Sequence, residues 1–207
     1  MRPKERKEKM RIKETKLYQF FELSEDAQER AIENLHFLNV EDSFWYEFTL
    51  ENATEVGKIL GIQTDPKHIF FSGFSSQGDG ACFEGRYSYK KGSRKEIRNY
   101  APQDSELHSI AHNLYLLQRR YGFTLWAESS HTGRYSHPGS VSIQVDCGES
   151  YQLSQEDEES LEEILRDFMY WIYHTLEKEY DYLTSKEAIQ ETIEANEYEF
   201  TEEGKLS

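Results

Sequence analysis

Cysteine is nearly absent from this 207-residue chain: Cys82 and Cys147 are the only two. Two thiols in a chain of this length do not make a disulfide framework, so the core has to carry the fold. No apolar run reaches transmembrane length and no leader-like segment opens the chain, so the expected compartment is a reduced cytoplasm. Positive charge is also short. Lys and Arg number 24 against 39 Asp and Glu, a net charge of −15. A field of that sign does not hold a protein on nucleic acid or on an anionic membrane. Recognised catalytic signatures are missing too: there is no Gly-x-Ser-x-Gly, no P-loop and no dinucleotide fingerprint. No cofactor is expected.

What is present is aromatic and unevenly charged. Aromatics make up 14% of the residues, enough for a core rich in Phe, Tyr and Trp. Residues 1–13 carry a net charge of +5, and residues 149–207 carry −14. A basic flexible arm at 1–13 and a single α+β domain over 14–207 are therefore expected, with an acidic helical region at 154–207. The two charged ends suit different partners, or each other.

The most informative stretch is Ile69–Gly85, IFFSGFSSQGDGACFEG. Apolar alternation on both sides of a Gly-rich, Asp-Gly-containing turn predicts a β-hairpin, spanning roughly 67–90. A second hairpin is expected from Phe123–Ser130 and Ser140–Cys147, joined by a polar loop through His131, Arg134, Tyr135 and His137. Lys16–Leu23 reads as a short strand and Lys90–Arg98 as a basic connection. Ser24 caps a first helix. Asp42 or Ser43 caps a second, whose buried stripe would be Trp45, Phe48, Ala53, Val56 and Ile59/Leu60, with Gly61 as its stop. A third helix is expected from about Ser105 to Tyr121, with Gly122 following it. Ser154 with Asp157 opens a long helix, and Thr184 or Ser185 opens a shorter one. The predicted class is α+β: an antiparallel sheet of about four to five strands built from two hairpins, helices on one face, and a long C-terminal helix.

Several groups of residues invite chemistry. Ser76, Gln77 and Asp79 at the first tip, with Arg134 and Tyr135 in the second loop, form a candidate partner-binding surface. The plainer reading is turn chemistry, in which Gly and Asp tolerate positive φ. Asp79, Glu84, His131 and His137 become a candidate acid–base or metal-assisted site if the two tips are neighbours. His108 and His112, at i and i+4 on a helix, are a weak metal pair with no third ligand set by spacing. Cys82 lies in an alternating strand, where a buried thiol is the ordinary outcome. Tyr170, Trp171 and Tyr173 suit core packing or a subunit interface. The acidic helices over 156–203 suit a solvated face or an imitation of DNA phosphates.

Three segments together resemble a known family: Leu17–Ile32, Ile69–Gly85 and Tyr182–Gly204. The chain resembles small proteins of tailed phages and prophages, some described as the antitoxin of a toxin–antitoxin stability system. The resemblance implies a phage or mobile-element accessory protein in a bacterial host cytoplasm. It marks residues 72–85 and 184–204 as characteristic surfaces or structural signatures, and it supplies no catalytic residue. The leading expectation is a protein that binds and neutralises a host or toxin protein with a basic surface. A small metal-dependent hydrolase or nuclease-like enzyme and an acidic DNA mimic are the alternatives. Neither a membrane nor a nucleic acid is an expected partner, except for a nucleic acid reached through the arm 2–13.

Overall fold

The computed structural model describes residues 14–207; the basic arm expected at 1–13 lies outside the described residues. In chain order the elements are β1 (Tyr18–Gln19), α1 (Glu25–Asn34), α2 (Phe44–Leu60), β2 (Ile62–Gln63), β3 (Ile69–Phe71), β4 (Ala81–Phe83), β5 (Gly85–Ser88), α3 (Ser93–Tyr100), α4 (Ser105–Arg120), β6 (Trp126–His131), β7 (Val141–Asp146), α5 (Gln155–Leu183), α6 (Lys186–Ala195) and β8 (Glu199–Phe200). The class is α+β, with antiparallel sheets and a 29-residue C-terminal helix. Contacts divide the chain into two compact units. One comprises Asp42–Tyr182, and the other joins the segment up to Glu41 with Leu183–Ser207.

The smaller unit brings residues 18–34 together with residues 186–200. Its strands β1 and β8 pair antiparallel, Tyr18 opposite Phe200. Its core is Phe20, Leu23, Ala27, Ala31, Ile189, Ile193 and Phe200. Both of its helices start as the sequence predicts. The Ser24 hydroxyl accepts from Ala27 N–H, and the Ser185 hydroxyl accepts from Ala188 N–H. The strand expected over Lys16–Leu23 shrinks to two residues. Phe20–Glu22 instead winds into a 3-10 turn, held by Gln19 N–H donating to the Glu22 carboxylate at 2.8 Å.

The larger unit is built on a four-stranded antiparallel sheet in the order β2-β5-β6-β7. One face is apolar and buried, carrying Ile62, Tyr87, Ala127, Val141 and Ile143. The register sets Ile62 opposite Tyr87, Tyr87 opposite Ala127 and Ala127 opposite Val145, so this face is continuous across all four strands. Alternation with period two then puts Gln63, Arg86, Glu128 and Gln144 in one row on the other face. Helical side chains such as Leu107, Leu114, Phe168, Ile172 and Leu176 complete the core. The C-terminal end of α4 is tied to the start of α5 through Asp157. Its carboxylate accepts from the Tyr121 hydroxyl and pairs with Arg120, while its backbone N–H donates to the Ser154 hydroxyl. Burial pushes this carboxyl up, but the Tyr121 hydroxyl and the Arg120 guanidinium outweigh it and hold it below the usual carboxylate range.

Three expectations are corrected. The predicted hairpin over 67–90 is two structures: β3 pairs with β4, and after Glu84 the chain enters β5, which pairs with β2 and β6. The basic connection Lys90–Arg98 contains helix α3. That helix has one large apolar anchor, the fully buried Ile97. It is steadied by a Lys90–Glu96 ion pair at 2.9 Å and by Arg94 over the Tyr115 ring at 4.8 Å. Phe48, expected in the buried stripe of α2, is 80% exposed. The stripe runs through Leu50, Ala53, Thr54, Gly57 and Leu60, and five residues of helix turn Phe48 about 140° away from Ala53. Gly61 does end α2, with φ of 93°; a side chain there would be strained and would strike the Ser88 carbonyl.

Candidate functional site

The two loops flagged by the sequence lie side by side. A Cβ added to Gly80 would stand 2.7 Å from His137 Cβ and 2.9 Å from His137 Cα. Only a residue without a side chain allows the backbones to approach this closely. The condition for a shared site between the two tips is therefore met, and its chemistry depends on how each group is already employed.

In the first loop, Ser72 and Gly80 close the neck. Ser72 N–H donates to the Gly80 carbonyl at 3.0 Å, and Gly80 N–H donates to the Ser72 hydroxyl at 3.2 Å. Asp79 folds inward: one carboxylate oxygen accepts from Ser75 N–H at 3.0 Å and from Ser76 N–H at 2.7 Å. Asp79 is thus the anchor of its own turn. Below it, Phe74 packs against Phe71, Tyr173 and Tyr180, and the Tyr173 hydroxyl donates to the Gly73 carbonyl. Ser75, Ser76, Gln77 and Gly78 remain exposed.

The second loop is braced by imidazoles. The His131 ring stacks on Phe70 at 4.8 Å, and its Nε2 lies 2.8 Å from the Tyr135 carbonyl. A carbonyl only accepts, which assigns the proton to Nε2. His131 N–H donates to Glu84 Oε1 at 3.2 Å. His137 Nδ1 accepts from Gly139 N–H at 3.1 Å, and the Ser140 hydroxyl bridges the His137 N–H and carbonyl. Arg134 and Tyr135 are exposed, Tyr135 at 63% with its ring tilted 6.3 Å from that of His137.

Asp79, Glu84, His131 and His137 therefore gather in one region, and each has a bond to loop backbone. Nucleophilic chemistry is no better placed. Cys82 is fully buried, with its sulfur 3.9 Å from the Ser140 hydroxyl. Burial pushes the thiol up to about 11, against the lowering effect of Ser140, so little thiolate exists near neutrality. Among the described residues no group of three or more His, Cys, Asp or Glu side chains is arranged to hold a metal ion. On α4, His108 Nε2 is 2.9 Å from the Ala101 carbonyl, bracing the turn before the helix, whereas His112 is exposed. Trp171 is core: it stacks on Phe168 and its indole N–H donates to Asp104. Tyr170 is 48% exposed. The acidic run over 156–203 is divided between the two units, α5 lying almost wholly in the larger and α6 in the smaller.

Two exposed features escaped the sequence reading. Phe44 and Phe48 stand one helical turn apart on α2, at 67% and 80% exposure. Nothing in an i, i+4 aromatic pair distinguishes an exposed stripe from a buried one before the neighbouring stripe is known. Gln63, Arg86 and Glu128 of the polar row line a groove of about 600 Å³ that also includes Glu84. The Arg86–Glu128 ion pair, at 3.1 Å, satisfies its two central charges.

The model of one family, a domain of unknown function (DUF8835), matches residues 45–186. The chain belongs to the DUF8835 family. The DUF8835 match takes in nearly all of the larger unit, both loops included. No curated protein and no solved structure matches the chain. Among the described residues no helix of this DUF8835 protein is long and apolar enough to cross a membrane.

Proposed function

We infer that the chain is a non-catalytic protein-binding module whose contact surface is the pair of adjoining loop tips. One observation carries the reading: the groups able to do acid–base work at the tips are spent on bracing the loops. Asp79, Glu84, His131 and His137 each hold backbone in place. What they leave on the outside is Ser76, Gln77, Arg134 and Tyr135, on loops already fixed in one shape. Such preorganisation lowers the ordering cost of association. Tyr135 is an amphipathic aromatic of the kind that supplies affinity at interfaces. The net charge of −15 suits a partner with a basic surface, met quickly and in a salt-dependent way. The resemblance of Leu17–Ile32, Ile69–Gly85 and Tyr182–Gly204 to phage and prophage proteins supports a partner in the bacterial cytoplasm, a toxin or host protein that binding neutralises.

The test is affinity capture from bacterial lysate with wild type, Tyr135→Ala and Arg134→Ala, read by mass spectrometry. One protein retained by wild type and lost from both variants is the expected result. Equal capture by all three moves the contact elsewhere and overturns the assignment. Retention that duplex DNA competes away points instead to phosphate imitation by the acidic helices. A hydrolytic activity that chelator abolishes replaces the binding reading with an enzymatic one.

A further inference from the structure

The four-stranded sheet has one long free edge. Strand β7 pairs with β6 alone, residue for residue from Val141 to Asp146 with no bulge. Which backbone groups face outward follows from its neighbours. Ser88 N–H donates to the Gly61 carbonyl on the β2 side. Arg86 and Ser88 therefore turn their backbones to β2, while Gly85 and Tyr87 turn theirs to Ser129 and Ala127 of β6. His131 agrees, since its N–H goes to Glu84, the residue before β5. The remaining β6 residues, Trp126, Glu128 and Ser130, then face Asp146, Gln144 and Ser142. That leaves the N–H and C=O groups of Val141, Ile143 and Val145 pointing out of the sheet. Among the described residues no turn, cap or side chain reaches these groups.

Free edges are ordinarily guarded by a Lys, a Pro, a bulge or a covering segment. β7 carries none of the first three, and residues 138–145 contain no charged side chain. The strand sequence Val141-Ser142-Ile143-Gln144-Val145 is nearly the same read in either direction. A two-fold axis through Ile143 sets it against itself, Val141 opposite Val145 and Ser142 opposite Gln144. The three outward residues of each copy then exchange six backbone hydrogen bonds. The apolar faces continue on one side of the joined sheet. Asp146 falls opposite Ser140, so no like charges meet across the strands. Near the start of the strand, Arg166 donates to the Pro138 carbonyl and is paired with Glu162 at 2.9 Å, so its charge is balanced within the chain.

We propose that β7 is the interface for a second copy of this chain, joined antiparallel through Ile143 into one continuous eight-stranded sheet. The inference is independent of the loop tips. Because each copy carries −15, the pairing tightens as salt screens the overall repulsion.

Two double variants at exposed positions test it. Ser142→Lys with Gln144→Lys puts like charges opposite each other twice across the two-fold axis. Ser142→Glu with Gln144→Lys puts opposite charges there. Within one chain, position 144 faces Glu128 and position 142 faces Ser130, so neither variant strains its own sheet. Sedimentation velocity in 0.15 M salt should find wild type at twice the 24.5 kDa chain mass. The Lys/Lys variant should dissociate at least about tenfold more readily, and the Glu/Lys variant should stay paired. Hydrogen exchange gives the second readout: the Val141, Ile143 and Val145 amides are protected in wild type and fast in Lys/Lys. A wild type that is monomeric up to about 100 μM overturns the proposal, as does a dimer that both variants leave equally intact.

Discussion

The two loops at the candidate site solve one problem with different chemistry. The loop over 72–80 is pinned at its tip by one carboxylate, Asp79, which accepts two consecutive N–H groups, at its neck by the Ser72 hydroxyl, and beneath by Phe74 set among aromatic rings. The loop over 131–140 is pinned by two imidazoles and a hydroxyl, each taking one or two bonds. The first concentrates the hold on its tip in one side chain above an aromatic floor. The second spreads its hold across several weak braces, with the Phe70–His131 stack and the Tyr135–His137 ring contact beside them. The tips stay adjacent because Gly80 lets His137 come within contact distance. Polar groups at such a surface can therefore be structural and still define what the surface presents.

The comparison can be broken most severely at the shared contact. Gly80→Ala forces a methyl against His137 backbone, and overpacking of this kind costs about 1–3 kcal/mol. Urea denaturation should show that loss, and amide exchange should quicken in both loops together. A loss confined to one loop would mean that the tips are held independently. Asp79→Ala comes next. Two N–H groups lose their acceptor, a loss of about 1–2 kcal/mol that thermal unfolding detects, with disorder limited to 72–80. An unchanged melting temperature would show that solvent replaces the carboxylate without cost, and Asp79 would become available as a contact residue.

The distributed bracing of the second loop predicts a smaller response. His137→Ala or Ser140→Ala should each cost about 0.5–1 kcal/mol in the same unfolding measurement, and the double variant less than the sum. If either single change matches Asp79→Ala, the second loop is not redundantly held. The smallest effect belongs to Tyr135→Ala. His131 bonds the Tyr135 carbonyl and not its ring, so stability should stay within about 0.5 kcal/mol while partner capture is lost. A large drop in stability would place the ring in the scaffold.

Local signals were legible wherever one residue does one job. Ser24, Ser185 and the Ser154–Asp157 pair cap the helices they were expected to cap, because capping is settled within four residues. Of the strands around the second loop, β7 falls within the expected Ser140–Cys147, and β6 starts three residues later and ends one later than the expected Phe123–Ser130. Misreadings arose where a neighbour decides. Helix α3 has a single buried apolar anchor and was hidden inside a basic stretch. Phe48 looks like core until Leu50, Ala53 and Leu60 are known to own the buried face. The hairpin over 67–90 changes partners at Glu84, and no residue at that point announces that β5 will pair with β2 and β6.

The sequence by itself determined the α+β class, the starts of the helices other than α3, the approximate position of β6 and β7 and the place of both polar loops. These follow from backbone geometry and from the period of apolar residues, which act over a few positions. Only the tertiary structure decided that the loops adjoin, that their acid–base groups are spent as braces, and that one strand edge is left open. Those outcomes depend on which groups meet across 50 or more residues of chain, as Gly80 meets His137. Pairing at that distance is set by the packing of the whole core and by backbone hydrogen bonds that every residue type can make.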